Sequence, residues 1–185
     1  NANGWNNSDV TVSYSISDTL SGVDTVVGGY EDDVVSSEVA DQSVNASVAD
    51  KAGNTAGITV SNISIDKTNP VITLLSRLPS ANNYGWNNSD VMVKYQAQDG
   101  LSGIDTVAGG YEDGIISVEG FGLTANGDVK DLAGNTASVT VTDINIDKTQ
   151  PTIHATRTPP NENGWNNSDV TVRYDVFDNL SGIDS

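Results

Sequence analysis

A heptapeptide that occurs three times constrains this chain more than any other feature. Gly-Trp-Asn-Asn-Ser-Asp-Val begins at Gly4, Gly85 and Gly164. Asp66 and Asp147 keep the same spacing as the first two copies. A period of about 80 residues exceeds that of solenoid repeats and suffices for a small domain with its own core. We therefore expect a series of repeated small domains.

The linker proline that follows each copy sets the expected domain boundaries. Residues 1–68 hold most of a first copy, residues 69–149 a complete copy, and residues 150–185 the opening of a third. Since the first copy lacks its opening segment and the third stops early, we expect a window onto a longer tandem array. No signal peptide is visible, and no apolar run is long enough for a membrane span in this segment.

The composition is acidic in a particular way. The net charge is −17, and 20 of the 25 acidic residues are aspartate. Aspartate favours turns, where it binds nearby backbone amides, and it is a good ligand for hard cations. A charge of this sign repels nucleic acid, so we expect no nucleic-acid partner. Since the chain has no cysteine, disulfides and thiolate sites are excluded.

Alternating apolar residues predict strands. The alternation over residues 10–17 returns in the same phase over residues 91–98 and 170–177, and it predicts a half-buried strand of eight residues. Further strands are expected over residues 44–48 and 71–75.

Another strand is expected over residues 58–65, where the apolar parity changes between Val60 and Ile63 and predicts a bulge. No helical apolar stripe is present, and Gly, Asn, Asp and Ser interrupt the chain every eight to twelve residues. Together these patterns predict an all-β sandwich.

Four motifs in a fixed order carry a family resemblance. The repeated heptapeptide is followed by Asp-x-Leu-Ser-Gly-Ile/Val-Asp at residues 99–105, Asp-x-Ala-Gly-Asn-Thr at 131–136 and Ile-Asp-Lys-Thr-x-Pro at 146–151. Over its whole length the chain resembles the bacterial immunoglobulin-like tandem repeats of large cell-surface proteins and adhesins. The resemblance implies tandem immunoglobulin-like β-sandwich modules of about 80 residues, located outside the cell on its surface.

The resemblance also implies where the acidic motifs meet. On an immunoglobulin-like chain path, two loops of one module face the linker from the preceding module. The residues expected to converge are Asp66, Asp99, Asp105, Asp131 and Asn135 at one junction, and Asp147, Asp178 and Asp184 at the next. Carboxylates brought together in water repel one another, so they stay apart, take a raised pKa or bind a cation. Ca²⁺ accepts six to eight oxygen ligands in irregular geometry, and some repeats of the resembled family hold calcium between modules.

Two alternatives to calcium remain open. Asp-x-Ala-Gly-Asn is also what a tight turn requires, because glycine supplies positive φ while Asp and Asn bind the backbone. Lys67 and Lys148 lie beside the linker aspartates and are candidate counter-charges in place of a metal.

Linker and tryptophan positions point to the junctions as well. Pro70 and Pro151 restrict the backbone conformations of the linkers, which contain no glycine, so consecutive modules are expected to be held stiffly.

Trp5, Trp86 and Trp165 are each expected near the following junction, as a core or junction plug. A sugar-stacking platform is the functional alternative.

The inventory of side chains argues against an enzyme. His154 is the sole histidine, and no Ser/His/Asp set or cysteine nucleophile is available. The leading hypothesis is a structural rod or stalk whose main partners are neighbouring repeats of the same chain. The alternative is a binding module for surface glycans or protein partners, or for like chains in a filament. Residues 35–42 and 116–123 differ substantially while turns and linkers stay constant, which favours the spacer.

Overall fold

The computed structural model describes residues 1–26, 28–107 and 111–184. Throughout these ranges the chain forms strands, turns and irregular segments without a helix, so the predicted all-β class is confirmed. In particular, nothing in this part of the chain forms an apolar helix long enough to cross a membrane.

Twelve strands are found in the described residues. Those in the first copy are β1 Trp5–Asn6, β2 Val10–Val12, β3 Asp33–Val35, β4 Gln42–Ala49 and β5 Thr55–Ile65. Those in the middle copy are β6 Val71–Leu78, β7 Val91–Gln98, β8 Gly114–Ile116, β9 Gly120–Lys130 and β10 Thr136–Ile146. The third copy contributes β11 Thr152–Arg157 and β12 Val172–Phe177.

Strand pairing in the first copy recurs one repeat period later. β2 pairs antiparallel with β3, and β7 pairs with β8 in the same register. β1 runs parallel to β5, and the bridge between Asn87 and Ile146 is its counterpart in the middle copy. β5 also pairs with β4, and in the middle copy β10 pairs with β9 in the same way. The same sequence motifs thus adopt the same local pairings.

The predicted bulge in the last strand of the first copy is confirmed. Gln42 of β4 faces Ile63 of β5, but Val44 faces Val60, so one additional residue is inserted on β5. Asn62 lies in the insertion with a φ of 61°, and Asp143 has a φ of 59° at the equivalent place. Asparagine and aspartate tolerate this left-handed conformation better than other residues with a side chain.

The eight-residue strand predicted from residue 10 is wrong in the first copy and correct in the middle one. β2 ends at Val12, whereas β7 extends over all eight residues to Gln98. β7 lies between β6 and β8, whereas in the part of the chain that the structure describes β2 pairs with β3 alone. Among the described residues no strand pairs with residues 13–17, whereas the equivalent part of β7 has β6 as its hydrogen-bonding partner.

By contacts between Cα atoms the chain forms two compact units. The first comprises Asn1–Leu74, Tyr95–Glu112 and Asn126–Val139, and the second comprises Leu75–Lys94, Asp113–Ala125 and Thr140–Ser185. The first unit buries Val35, Ile63 and Ile65 against half-buried valines of β2, β4 and β5. The second buries Val91, Val93, Ile144 and Ile146 to within 2% of full burial. Both cores use the alternating strand residues.

Candidate functional site

The loop at Asp99 is closed by its own aspartate. Asp99 Oδ2 accepts hydrogen bonds from the backbone N–H groups of Leu101 (3.0 Å) and Gly103 (2.8 Å). Gly103 has a φ of 83°, a conformation that glycine adopts without strain. Asp18 and Asp178 make the same pair of bonds in the other copies. The motif is therefore a turn in its own right.

The loop at Asp131 is closed in a similar way and contributes an amide. Asp131 Oδ1 accepts the backbone N–H groups of Gly134 (2.6 Å) and Asn135 (2.8 Å), and Oδ2 accepts Nδ2 of Asn135 (2.8 Å). Gly134 has a φ of 106°. Asp131 is completely buried and Asn135 is 9% exposed. The turn chemistry considered as an alternative to calcium is thus present.

Asp66 connects the end of the first copy to the loop at Asp99. It directly follows β5 and is completely buried. Its Oδ2 accepts the backbone N–H of Ser102 at 2.9 Å, and its Oδ1 accepts that of Thr68 at 3.1 Å. One carboxylate therefore binds the linker on one side and the next copy on the other.

Asn135 fixes the same linker from the next copy. Its Nδ2 group donates to the backbone carbonyls of Asp66 (2.9 Å) and Thr68 (3.1 Å), besides its bond to Asp131. Since these carbonyls both belong to the linker, the amide restrains the path of the chain as it enters the middle copy. Linker and loop are joined through buried polar atoms, which are costly to leave unpaired.

Three carboxylates meet at this junction. Asp66, Asp99 and Asp131 each place one oxygen so that the three oxygens lie within 4.8 Å of one another. Two of the side chains are buried and Asp99 is half-buried. The hydrogen bonds described above come from backbone and amide N–H groups, and they leave part of the acceptor capacity of each carboxylate unused. Oxygen atoms of this kind are what Ca²⁺ binds, so the donor set fits that ion.

Asp105 does not belong to this group. Its Oδ1 accepts the backbone N–H of Val107 at 3.1 Å, within its own loop. Of the five residues expected at the first junction, the structure brings together three carboxylates and the amide of Asn135.

The second junction repeats the link from linker to loop. Asp147 Oδ2 accepts the backbone N–H of Ser181 at 2.9 Å, and Oδ1 accepts that of Thr149 at 3.0 Å. Hydrogen bonds from the side chain and then the backbone N–H of Ser181 hold the pKa of Asp147 below its usual range. Asp178 Oδ1 accepts the hydroxyl of Ser181 at 3.4 Å, so both predicted aspartates bind the same serine.

Asp184 has a partner that the sequence did not predict. Its Oδ1 accepts the hydroxyl of Tyr84 at 3.0 Å. Tyr84 belongs to the turn that precedes Trp86, so this bond ties that turn to the Asp178–Asp184 loop. Its role is a contact between two loops of the second unit.

The two linker lysines pair with other carboxylates. Lys67 Nζ lies 2.8 Å from Asp9 Oδ1 and donates to the carbonyl of Ser36 at 2.9 Å. Lys148 Nζ lies 2.9 Å from Asp90 Oδ1. The hypothesis that these lysines neutralise the junction aspartates in place of a metal therefore loses its geometric basis.

Two glutamates that sequence reasoning missed also hold the linkers. Glu38 Oε2 accepts the N–H of Lys67 (3.2 Å) and the hydroxyl of Thr68 (2.7 Å). Glu119 accepts the same two groups from Lys148 and Thr149. The signal was present in the sequence, because Glu38 and Glu119 occupy equivalent positions of the repeat within otherwise variable segments.

The turn before each tryptophan has a repeated asparagine that was also missed. Asn1, Asn82 and Asn161 each accept, through Oδ1, the N–H groups two and four residues further on. The Nδ2 group of Asn1 additionally donates to the carbonyls of Leu132 (2.8 Å) and Ala133 (2.9 Å). This turn of the first copy thus contacts the Asp131–Asn135 loop of the middle copy directly.

The tryptophans differ in exposure. Trp5 and Trp86 are half-buried, and Trp86 packs against Phe121 with ring centroids 6.0 Å apart. Trp86 also lines a groove with Ser181 and Asp184, which agrees with the predicted position near the following junction. Trp165 is 75% exposed.

Comparison of the chain with protein-family models, with curated protein sequences and with solved structures finds no match.

Proposed function

We propose that this chain is a structural segment of an extracellular surface protein, in which immunoglobulin-like β-sandwich modules form a stiff rod or stalk. The observation that carries the proposal is the repeated junction bond, from Ser102 to Asp66 and from Ser181 to Asp147. A flexible string of domains has no need of buried polar atoms at its linkers, because exposed linkers satisfy their polar groups with water.

The remaining junction contacts support the same role. Asn135 binds two linker carbonyls, and Glu38 and Glu119 hold the linker N–H and hydroxyl groups. Asn135 belongs to the middle copy and binds the linker of the first copy, whereas Glu38 and Glu119 each bind the linker at the end of their own copy. Each linker is thus restrained by polar side chains, as a spacer requires.

Calcium at the first junction is part of the proposal. Asp66, Asp99 and Asp131 would hold the ion, with their oxygens within 4.8 Å of one another. Three carboxylates in a largely buried site repel one another when all are ionised, and the ionic pairs of Lys67 lie elsewhere. A divalent cation removes that repulsion and joins the linker aspartate to both loops of the next module.

Calorimetric titration of the whole chain with Ca²⁺, with thermal unfolding in calcium and in chelator, tests this role. We expect binding and an increase in melting temperature of several degrees. Asp99→Asn should abolish both effects. Asp18→Asn is the matched control, because Asp18 closes the same turn in the first copy and lies outside the cluster of Asp66, Asp99 and Asp131.

Stiffness is measured separately by double electron–electron resonance, which gives the distribution of distances between two spin labels, one in the first copy and one in the middle copy. A narrow distribution is expected, and Asp66→Ala should broaden it. A distribution that is equally broad in both chains contradicts the rod. A heat of Ca²⁺ binding that persists in Asp99→Asn contradicts the calcium site but does not contradict the rod. The glycan-binding alternative predicts retention on a polysaccharide array.

A further inference from the structure

The repeated heptapeptide places its first asparagine in a short parallel pair with the end of the last strand. In the first copy Asn6 of β1 lies opposite Ile65 of β5, and the two strands run in the same direction. In the middle copy Asn87 makes the corresponding parallel bridge to Ile146 of β10. The junction bonds of the proposed stalk leave this pair without a role.

Two backbone hydrogen bonds hold the pair in the middle copy. The N–H of Asn87 donates to the carbonyl of Asn145, and the carbonyl of Asn87 accepts the N–H of Asp147, both at 2.9 Å. In the first copy the carbonyl of Asn6 accepts the N–H of Asp66 at the same distance. Since Asn87 is only 7% exposed, water has little access to compete for its bonds.

Side-chain amides reinforce the pair. Nδ2 of Asn145 donates to the carbonyl of Gly85 at 3.0 Å, and its Oδ1 accepts the N–H of Gly122 at 2.8 Å. One side chain of β10 thus binds both the segment before the bridge and the neighbouring strand β9. The first copy has Ser64 in place of Asn145, and there Nδ2 of Asn6 donates to the carbonyl of Ser64 at 3.2 Å.

The direction of the paired segments determines how they respond to tension. The chain from the preceding linker reaches Asn87 on its N-terminal side, and β10 continues into the following linker on its C-terminal side. Because the segments run parallel, tension between the linkers pulls them in opposite directions along a common axis. The hydrogen bonds across the pair are then loaded together, whereas a force that separates one end of the pair breaks them one after another.

The linker aspartates continue this path of force into the next copy. The backbone N–H of Asp147 donates to Asn87, and its Oδ2 accepts the backbone N–H of Ser181. Asp66 makes the equivalent two bonds at the first junction. A single residue therefore binds the parallel pair with its backbone and the following copy with its side chain.

We propose that the parallel pair is a clamp that carries tension along the chain, with the heptapeptide asparagine and the linker aspartate as its load-bearing residues. This role rests on the stalk proposed above, because a stalk transmits force between its ends. It also accounts for the repetition of the heptapeptide, since every copy in the line of force needs the same clamp.

Single-molecule force spectroscopy of the whole chain, in chelator, tests the clamp by changing only the direction of the load. The chain has no cysteine, so a pair of introduced cysteines defines where the handles attach. Asn83→Cys with Gln150→Cys pulls the parallel pair in opposite directions along its axis. Asn88→Cys with Gln150→Cys separates the pair from one end. All three positions are exposed, and Asn83 and Asn88 flank Asn87 in the chain.

The first attachment should require about twice the unfolding force of the second or more at the same loading rate, because forced unfolding is governed by the barrier to rupture. Equal forces, or a higher force for the second attachment, would overturn the clamp. Both attachments use the same fold in the same buffer, so a difference between them reports the direction of load.

A side-chain variant tests which bonds carry the load. With the first attachment, Asn145→Ala should lower the unfolding force, because it removes the bonds to Gly85 and Gly122. Asp113→Asn is the control, because it removes the 3.0 Å pairing with Lys94 outside the parallel pair. A force that Asn145→Ala lowers no more than Asp113→Asn does would contradict the part assigned to Asn145.

The spin-label distances of the proposed stalk are measured without tension, so the two proposals fail separately. A narrow distance distribution together with equal forces for the two attachments describes a stiff rod and contradicts the clamp. A broad distribution together with unequal forces contradicts the rod and supports the clamp. Because chelator is present throughout, neither result bears on the calcium site.

Discussion

The backbone N–H of Ser102 donates a 2.9 Å hydrogen bond to Oδ2 of Asp66, although the two residues are far apart in the sequence. Both residues are buried, Asp66 completely and Ser102 to 7% exposure. A hydrogen bond to an ionised group in such surroundings stabilises more than one in water, and removing the acceptor leaves the N–H unpaired. Asp66 thus accepts hydrogen bonds from both the linker and the next copy, and its loss would leave both N–H groups without this acceptor.

Replacement of Asp66 by alanine should therefore destabilise the chain strongly. Loss of the acceptor for Ser102 and Thr68 is expected to reduce the free energy of unfolding by about 2 kcal/mol or more. Denaturant midpoints in chelator measure this effect without a contribution from metal binding. Asp9→Asn is the comparison, because its pairing with Lys67 is half-exposed and should contribute less than about 1 kcal/mol. Equal losses in the two variants would show that burial of Asp66 has no energetic role.

Asp147 makes the second junction sensitive to acid. Its pKa is held low by the hydrogen bonds of Ser181, so the folded chain keeps it ionised to a lower pH than the unfolded chain does. Its stabilising contribution is complete above the unfolded-state pKa of about 3.9 and is lost as the pH falls through the folded-state pKa. The amide shift of Ser181, followed by NMR from neutral pH downwards, should move in this acidic window. If the Ser181 amide shift changes with pH in Asp147→Asn as it does in the parent chain, the change does not come from Asp147 and the assignment is contradicted.

The sequence predicted the strands well where the two copies are comparable, and the reason is physical. Alternation at Val91 and Val93 reports which side of a strand is buried, and the parity change after Val60 located the bulge. Neither pattern reports whether a neighbouring strand is available. β2 ends at Val12, where pairing with β3 ends, although residues 13–17 alternate as clearly as their counterparts in β7, which lies between two strands.

The junction was predicted in part. The turns at Asp99 and Asp131 were predictable, because the spacing from each aspartate to the following glycine is typical of such a turn. The partner of Asp66 was not predictable, since it is a backbone N–H, and every residue except proline has one. The roles of Glu38 and Glu119 were hidden for a different reason: apart from these glutamates and the serines Ser36 and Ser117, the segments that contain them vary between the copies.

Tyr14 and Tyr95 occupy equivalent positions but have different hydrogen-bonding partners. The hydroxyl of Tyr14 donates to Asp33 Oδ2 at 2.6 Å, and this bond raises the pKa of Tyr14 to about 12. Gly114 replaces Asp33 in the middle copy, and the buried hydroxyl of Tyr95 has no hydrogen-bond partner among the described residues. Tyr95→Phe should therefore raise the free energy of unfolding by about 1 kcal/mol, whereas Tyr14→Phe should lower the stability.

Folding raises the pKa of both tyrosines, through the bond to Asp33 for Tyr14 and through burial for Tyr95. Because the pKa of Tyr14 is raised by folding, its stabilising contribution is complete below the unfolded-state value of about 10 and is lost as the pH rises to about 12. Absorbance at the phenolate band, compared between the parent chain and Tyr14→Phe, measures this titration. A parent chain in which all tyrosines ionise near 10 would contradict the bond to Asp33.

Gly127 is the position where the packing of β6 is most restrictive. A methyl group there would lie 2.9 Å from Cε1 of Tyr95 and 3.1 Å from Cδ1 of Ile72, both closer than side-chain atoms normally approach. Gly127→Ala should therefore lower the free energy of unfolding by about 1 to 3 kcal/mol, since the ring and the isoleucine must shift.

Gly114→Ala is the matched control on another strand, where no atom lies within 4 Å of the added carbon and φ is not positive. That substitution should be neutral or stabilising by about 0.5 kcal/mol, because alanine restricts the unfolded chain. Denaturant unfolding of both variants measures the difference. If Gly127→Ala is tolerated as well as Gly114→Ala, then β6 does not pack against this strand as closely as described.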